Sequence, residues 1–189
     1  MILIADSGST KTDWCYGTET TNCKIVQTEG INPFHQSEEK IRSIIHDELL
    51  PQLDTPLQRC TAIYFYGAGC LPSKTASITQ VLQEYFPNAD IFVETDLLGA
   101  ARALCKDKAG IACILGTGSN SCLYDGEKII RNIPPLGYIL GDEGSGAYLG
   151  KRFIGDCLKG QLPEILQHGL QEKLNLTISE ILDNVYRRP

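Results

Sequence analysis

Short apolar runs separated by glycine- and hydroxyl-rich turns dominate this chain, and their spacing predicts alternating strands and helices. Residues 1–6, 13–16 and 23–27 read as three strands, with Gly17 and the Thr/Asn-rich stretch to Asn22 as the second turn. A helix follows from Ser37 as N-cap: Ile41, Ile44, Ile45 and Leu49 recur at helical spacing, Glu38 and Glu39 sit in the first turn, and Pro51 stops it. Next come a strand at 61–66 running into Gly67-Ala68-Gly69, a helix marked by Ile78, Val81, Leu82 and Tyr85, a strand at 90–94 and a helix over 96–105. The order βββ-α-β-α-β-α defines an α/β unit with mixed strand directions, assigned to residues 1–108.

A second unit, residues 109–189, opens in the same way. A strand at 111–115, a second glycine turn, a strand at 121–124, the hairpin signal Asp125-Gly126 and a strand at 127–133 repeat the start of the first unit. Ile4-Ala5-Asp6-Ser7-Gly8-Ser9 is similar to Ile114-Leu115-Gly116-Thr117-Gly118-Ser119, which favours a duplicated fold whose copies face each other across a cleft. After Ile133 the pattern is glycine-rich and then helical to the end. No further strands complete the second copy, so it reads as the truncated first part of a larger domain.

The two turns carry the first chemical signal. Asp6-Ser7-Gly8-Ser9-Thr10-Lys11-Thr12 and Gly116-Thr117-Gly118-Ser119-Asn120-Ser121 each end a buried strand. Glycines let the backbone approach a ligand, while amides and small hydroxyls donate to phosphate oxygens. Asp6 is placed to hold Mg²⁺ or to close an Asx turn, and Lys11 to donate to phosphate or to stand solvated. Asp96, between a strand and a helix at the carboxyl edge of the sheet, is either a general base or that helix's N-cap. Asp142 and Glu143 could bind a polar substrate or cap a helix, and Asn32 could bind one or be the extended residue before Pro33. His35, His46 and His168 show no ligand spacing and read as surface residues.

Composition narrows the field further. With 42% hydrophobic and 21% charged residues the chain is globular, and a net charge of −6 without basic clusters argues against a nucleic-acid partner. Neither a membrane span nor a secretory leader is expected, which implies a cytoplasmic protein. None of the eight cysteines forms C-x-x-C, and they are expected to be reduced and mostly buried.

Six segments in order, DSGSTKTDW, INPFH, YGAGC, ETDLLGAARA, LGTGSNS and GYILGDEGSGAYLG, resemble the N-acetylglucosamine kinase family of the sugar kinase, heat-shock ATPase and actin superfamily. The resemblance spans about residues 1 to 155 and implies a ribonuclease H-like unit, duplicated as in actin-like ATPases. It also implies ATP-dependent phosphorylation of the 6-hydroxyl of N-acetylglucosamine or a related amino sugar in an interdomain cleft. On that basis Asp96 would be the general base, and Asn32, Gly67, Asn120, Gly137 and Asp142 would line the sugar. Ser9, Thr10, Lys11, Gly116, Thr117 and Gly118 would surround the phosphates of ATP, with Mg²⁺ near Asp6. A homodimer is compatible with this picture. Family members continue past this length with a further adenosine motif, which has no counterpart after residue 150, and Tyr138 stands where relatives carry a different aromatic. Two rival readings are an ATPase activator of a 2-hydroxyacyl-CoA dehydratase, with an iron–sulfur cluster between subunits, and a non-catalytic sugar sensor.

Overall fold

The structure, a computed structural model, describes residues 1–18 and 23–187. The turn expected to reach Asn22, and the last two residues, lie outside the described residues. The chain divides into two compact units. One comprises residues 1–114 and 120–134, the other residues 115–119 and 135–189.

The first unit is built on a five-stranded sheet in the order β3-β2-β1-β4-β5. β1 (Ile2–Ser7) pairs antiparallel with β2 (Lys11–Gly17), which pairs antiparallel with β3 (Lys24–Glu29). β4 (Ala62–Gly67) and β5 (Asp90–Thr95) continue the sheet parallel to β1. Parallel neighbours need crossover connections, and helices supply them. α1 (Glu38–Ser43) lies between β3 and β4, α2 (Ala76–Tyr85) between β4 and β5, and α3 (Asp96–Cys105) follows β5.

The core follows from strand parity. Leu3, Ala5, Trp14, Ile63 and Phe65 point to one face and are fully buried, with Trp14 and Phe65 rings 5.7 Å apart. Helix residues Ile41, Ile44, Ile45, Leu49, Ile78, Val81 and Leu82 close over them. Ser37 caps α1 as expected, accepting from the Lys40 amide at 3.3 Å. Beyond Ser43 the helix does not stay α-helical to Pro51. It passes through a π turn, Ile44–Leu49, and a 3₁₀ turn, Leu50–Gln52. The wider turn brings Ile44 and Leu49, five residues apart, onto the buried face together.

Two hydroxyls on that buried face carry more than packing. Ser7 shares the inward parity of Leu3 and Ala5, and Thr12 that of Trp14; both are 0% exposed. Ser7 Oγ lies 2.6 Å from Thr12 Oγ1, donates to the Ile31 carbonyl at 2.9 Å and accepts from the Ile31 amide at 2.9 Å. Thr12 Oγ1 also reaches the Glu29 carbonyl at 3.2 Å. Both hydroxyls are therefore spent inside the protein and are not free for a ligand, unlike those of exposed Ser9 and Thr10.

A second, three-stranded sheet has the order β6-β7-β8, from β6 (Gly110–Leu115), β7 (Ser119–Tyr124) and β8 (Ile129–Ile133). Ala112, Cys122 and Tyr124 form a small core with Leu97 and Ala101 of α3. The turn at Asp125-Gly126 is wider than a two-residue hairpin. Asp125 Oδ1 accepts from the Glu127 and Lys128 amides, and the strand resumes only at Ile129. This sheet belongs almost wholly to the first unit, and the second unit beyond residue 135 is built of helices: α4 (Gly137–Leu140), α5 (Gly146–Leu158), α6 (Glu164–Leu174) and α7 (Ile178–Arg187).

The cysteines are less buried than expected. Cys60, Cys70, Cys122 and Cys157 are buried, Cys15 and Cys105 half-buried, and Cys23 and Cys113 exposed. Cys113 lies on the outward face of β6, where alternation sends every second residue. Among the described residues, no helix is long and apolar enough to cross a membrane.

Replacing Ser7 by alanine strands the Ile31 carbonyl in the core and leaves the Ile31 amide only its longer bond to Thr12 Oγ1, 3.3 Å. Leaving such groups unsatisfied costs about 1–3 kcal/mol. Urea unfolding of the Ser7→Ala variant is expected to show that loss as a lower midpoint with an unchanged slope.

Candidate active site

The three parallel strands end in one row. Ser7 pairs with Gly67, and Gly67 with Thr95. The chain leaving β1 forms the first glycine turn, the chain leaving β4 forms Ala68-Gly69, and the chain leaving β5 starts α3. Open α/β sheets place ligands at this carboxyl edge.

In the first turn the Gly8 amide donates to the Lys11 carbonyl at 3.0 Å, and the Thr10 carbonyl accepts from Gly30 at 3.1 Å. Among the described residues nothing accepts from the Ser9 and Thr10 amides, which leaves two donors facing no protein partner. Gly30 supports the turn from beneath. A Cβ there would lie 2.5 Å from the Gly8 carbonyl oxygen and 2.8 Å from the Ser9 carbonyl carbon, backbone atoms that cannot yield. Lys11 is ion-paired with Asp13 at 2.8 Å, and its hydrogen bond holds the Asp13 carboxyl below its ordinary value.

Asp96 occupies the first position of α3, but it is not the cap. Thr95 is: its hydroxyl accepts from the Leu98 amide at 3.3 Å. Asp96 Oδ1 accepts from the Leu97 amide at 2.8 Å. Burial pushes the Asp96 carboxyl above its ordinary value. The Leu97 amide bond opposes this, and the negative charge of Asp6 adds to it. Cys70 belongs to the same neighbourhood. Burial, with the charge of Asp96 behind it, pushes its thiol up to about 12. Asp96 is thus close enough to both Asp6 and Cys70 for its charge to interact with each.

Asn32 and the β4 exit meet directly. Asn32 Oδ1 accepts from the Phe34 amide at 2.9 Å and lies across Gly69, whose φ is +74°. A Cβ at Gly69 would stand 2.2 Å from that oxygen, so only glycine allows the contact. Gly67 is a packing position: its Cβ would strike the Phe65 ring at 2.6 Å and Cys70 Sγ at 2.8 Å. Gln36, which no sequence motif singles out, holds the Asn32 segment through a loop contact without periodicity.

The second unit has its own arrangement around the second glycine turn. The Gly116 and Thr117 carbonyls accept from the Gly146 and Ala147 amides at 2.9 and 3.1 Å, which fixes the turn to the start of α5. Ser145 caps α5, accepting from the Tyr148 amide. Asp142, expected to line a sugar or cap a helix, does not cap α5. Its Oδ1 accepts from the Ser119 amide at 3.1 Å, its amide donates to the Pro135 carbonyl, and its carbonyl accepts from Ser145. It adopts φ +58° to do so. Gly137, at φ +74°, begins α4, and Lys151 pins the next residue by donating to the Tyr138 carbonyl at 2.7 Å. No sequence spacing advertises that lysine.

Asn120 lies on β7, where its Oδ1 accepts from the Ser121 amide and from Asn132 Nδ2. Its own amide group remains a donor. His35, His46 and His168 are exposed. Among the described residues no three His, Cys, Asp or Glu side chains gather as a metal cage. The carboxylate of Asp6, exposed at the sheet edge, suits a cation that takes one or two protein carboxylates and completes its shell with water and phosphate oxygens, as Mg²⁺ does.

Parallel strands feeding a glycine turn and a carboxylate at one edge suit an α/β fold of the actin-like class, with which solved structures agree. The chain is similar along its whole length to the Putative N-acetylglucosamine Kinase from Porphyromonas gingivalis, at 53% identity and a TM-score of 0.95, and covers 67% of that protein. It also resembles the Putative N-acetylglucosamine Kinase from Chromobacterium violaceum, at 22% identity and a TM-score of 0.62, over 83% of this chain and 56% of that one. The fold alone is shared with MreB 5 of Spiroplasma citri bound to AMPPNP, at 11% identity and a TM-score of 0.51, over 94% of this chain and 58% of that one. No protein-family model matches, nor does any curated protein. The chain belongs to the N-acetylglucosamine kinase family, within the sugar kinase, heat-shock ATPase and actin superfamily.

If Asp142 braces the second turn through its oxygen acceptor, Asp142→Asn retains the Ser119 bond and tolerates the left-handed backbone. Asp142→Ala loses the bond and puts alanine in the left-handed region, together expected to cost about 2 kcal/mol. Denaturant midpoints of the two variants should separate by that amount, and equal midpoints would argue against the brace.

Proposed function

We propose that this protein is an ATP-dependent kinase that phosphorylates the 6-hydroxyl of N-acetylglucosamine or a related amino sugar. The observation that carries the reading is Asp96: a half-buried carboxylate relieved of helix capping by Thr95, within charge reach of Asp6, at the same sheet edge as the first glycine turn and the β4 exit against which Asn32 lies. The family membership and the 53% identity to a protein so described support it.

Each unit, taken by itself, offers a defined chemistry. The unpaired amides of Ser9 and Thr10, with the exposed Thr10 hydroxyl, receive phosphate oxygens, and Lys11 adds positive charge if it exchanges Asp13 for phosphate. Thr117 and Gly118 offer the corresponding amides in the second unit. Asp6 would hold Mg²⁺, which neutralises phosphate charge when bound. Asn32 and Asn120 donate to sugar oxygens through their amide groups, while Gly67, Gly137 and Asp142 shape the neighbouring backbone.

The reaction joins the sugar's 6-oxygen to the γ-phosphorus as the bond to the β-phosphate oxygen breaks. Asp96 accepts the hydroxyl proton, and ADP leaves with the bridging oxygen. Asp96's raised proton affinity suits this role, because a base is most effective when its affinity approaches the working pH. The same burial has a cost in stability. A carboxyl raised in the folded state favours folding most below its unfolded value, and that contribution is lost as pH rises through the folded value.

Asp96→Asn keeps an acceptor for the Leu97 amide but cannot take a proton. Turnover is expected to fall about 10²- to 10⁴-fold with sugar affinity little changed. At neutral pH, without ligands, the variant should melt higher than the parent, because the buried charge is gone. In the parent, kcat/KM should fall on the acid side through a value above the ordinary aspartate figure of 3.8. ATP consumption stimulated by none of N-acetylglucosamine, glucosamine, glucose and N-acetylmannosamine would overturn the reading.

A further inference from the structure

The segment from Gly30 to Gln36 joins the glycine turn to Asn32, and one side chain fastens it at both ends. Gln36 Oε1 accepts from the Asn32 amide at 2.9 Å, while Gln36 Nε2 donates to the Gly30 carbonyl at 2.8 Å. The backbone closes the same loop, with the His35 and Gln36 amides donating to the Asn32 carbonyl at 3.2 and 3.0 Å. Asn32 is then confined on its far side by Gly69, which has no Cβ to collide with Oδ1. The Phe34 amide occupies Oδ1, so Asn32 has an amide group of fixed direction left to offer.

Gly30, at the other end of this staple, is the residue beneath the glycine turn. Its amide donates to Thr10, and the buried Ser7 hydroxyl engages both polar groups of Ile31 between them. A glutamine amide is suited to this span because it presents one acceptor and two donors on a single planar group. Without it, the Asn32 amide and Gly30 carbonyl each lose a partner, and Asn32 keeps only its own turn to hold it.

We infer that Gln36 is a positioning residue for the amino-sugar site, setting the Asn32 amide group for a ligand oxygen without touching the ligand itself. This rests on the kinase reading above, in which Asn32 meets the sugar. Acting through Asn32, Gln36 affects sugar binding and leaves the proton-accepting Asp96 and the phosphate-binding amides in place.

The test is a double-mutant cycle on the full chain, with N-acetylglucosamine as the varied substrate. Gln36→Ala is expected to raise the sugar KM roughly tenfold, about the worth of one well-made hydrogen bond, with kcat and the KM for ATP within about twofold of the parent. In an Asn32→Ala background the same change should add less than about twofold, because the residue it acts through is gone. Effects that multiply in full, an Asn32→Ala variant with unchanged KM, or a loss confined to kcat would each overturn the proposal. Hydrogen exchange provides a readout independent of turnover. Gln36→Ala should speed exchange of the Asn32 amide while the β1 and β4 amides keep their protection, and unchanged exchange at Asn32 would also overturn it. If the parent protein phosphorylates no sugar, the kinase reading falls, and exchange alone decides whether Gln36 holds Asn32.

Discussion

The hydroxyl pair of Ser7 and Thr12 is the constraint on which the first unit's candidate site depends. A buried hydroxyl must find partners, and these two find each other and the backbone of residues 29 and 31. The consequence is positional. The last residue of β1 is tied to the segment that leaves β3, so the glycine turn and the Asn32 loop emerge from one fixed point. Gly30 then fits beneath the turn, and the Ser9 and Thr10 amides are left outward without a competing partner. A phosphate site made of backbone amides needs that rigidity, because its donors cannot be re-aimed one side chain at a time.

Asp96 shows a second form of the same economy. The Thr95 hydroxyl takes over capping, and Asp96, one residue on, meets the Leu97 amide and its own. These amides do not offset its burial, so the carboxyl binds a proton more readily than an exposed aspartate. Stability and reactivity are opposed at this residue. A neutral side chain would suit the fold better, whereas a proton acceptor requires the charge, which is the expected sign of a functional rather than a structural carboxylate.

The strands of the first unit were legible because short apolar runs of strand length are bounded by glycine- and hydroxyl-rich turns, and the helices because Ile41, Ile78 and their partners recur at helical spacing. The inward direction of Ser7 was also available in principle: it shares parity with Leu3 and Ala5, and only its place in a ligand-like motif suggested otherwise. Thr95 and Asp96 were harder. Both residue types cap helices, and a shift of one residue exchanges their roles, which falls within the usual uncertainty of a helix boundary. The π turn at Ile44–Leu49 left no signal, since an α-helical reading also buries Ile45 and Leu49.

Gln36, Lys151 and the brace at Asp142 were illegible for a different reason. Each meets backbone atoms outside its own element, and such meetings arise from tertiary approach rather than from periodic pattern. Glycines mark where such meetings occur without saying what arrives. Gly69 shows that something presses on the β4 exit, but not that it is Asn32; Gly118 shows the same for the carboxylate of Asp142, which a Cβ there would approach within 2.9 Å. The motifs of this family thus locate the loops that bear the chemistry. Of the residues that hold those loops in register, Ser7, Thr12 and Asp142 lie within the motifs, while Gly30, Gln36 and Lys151 lie just outside them, where only geometry selects.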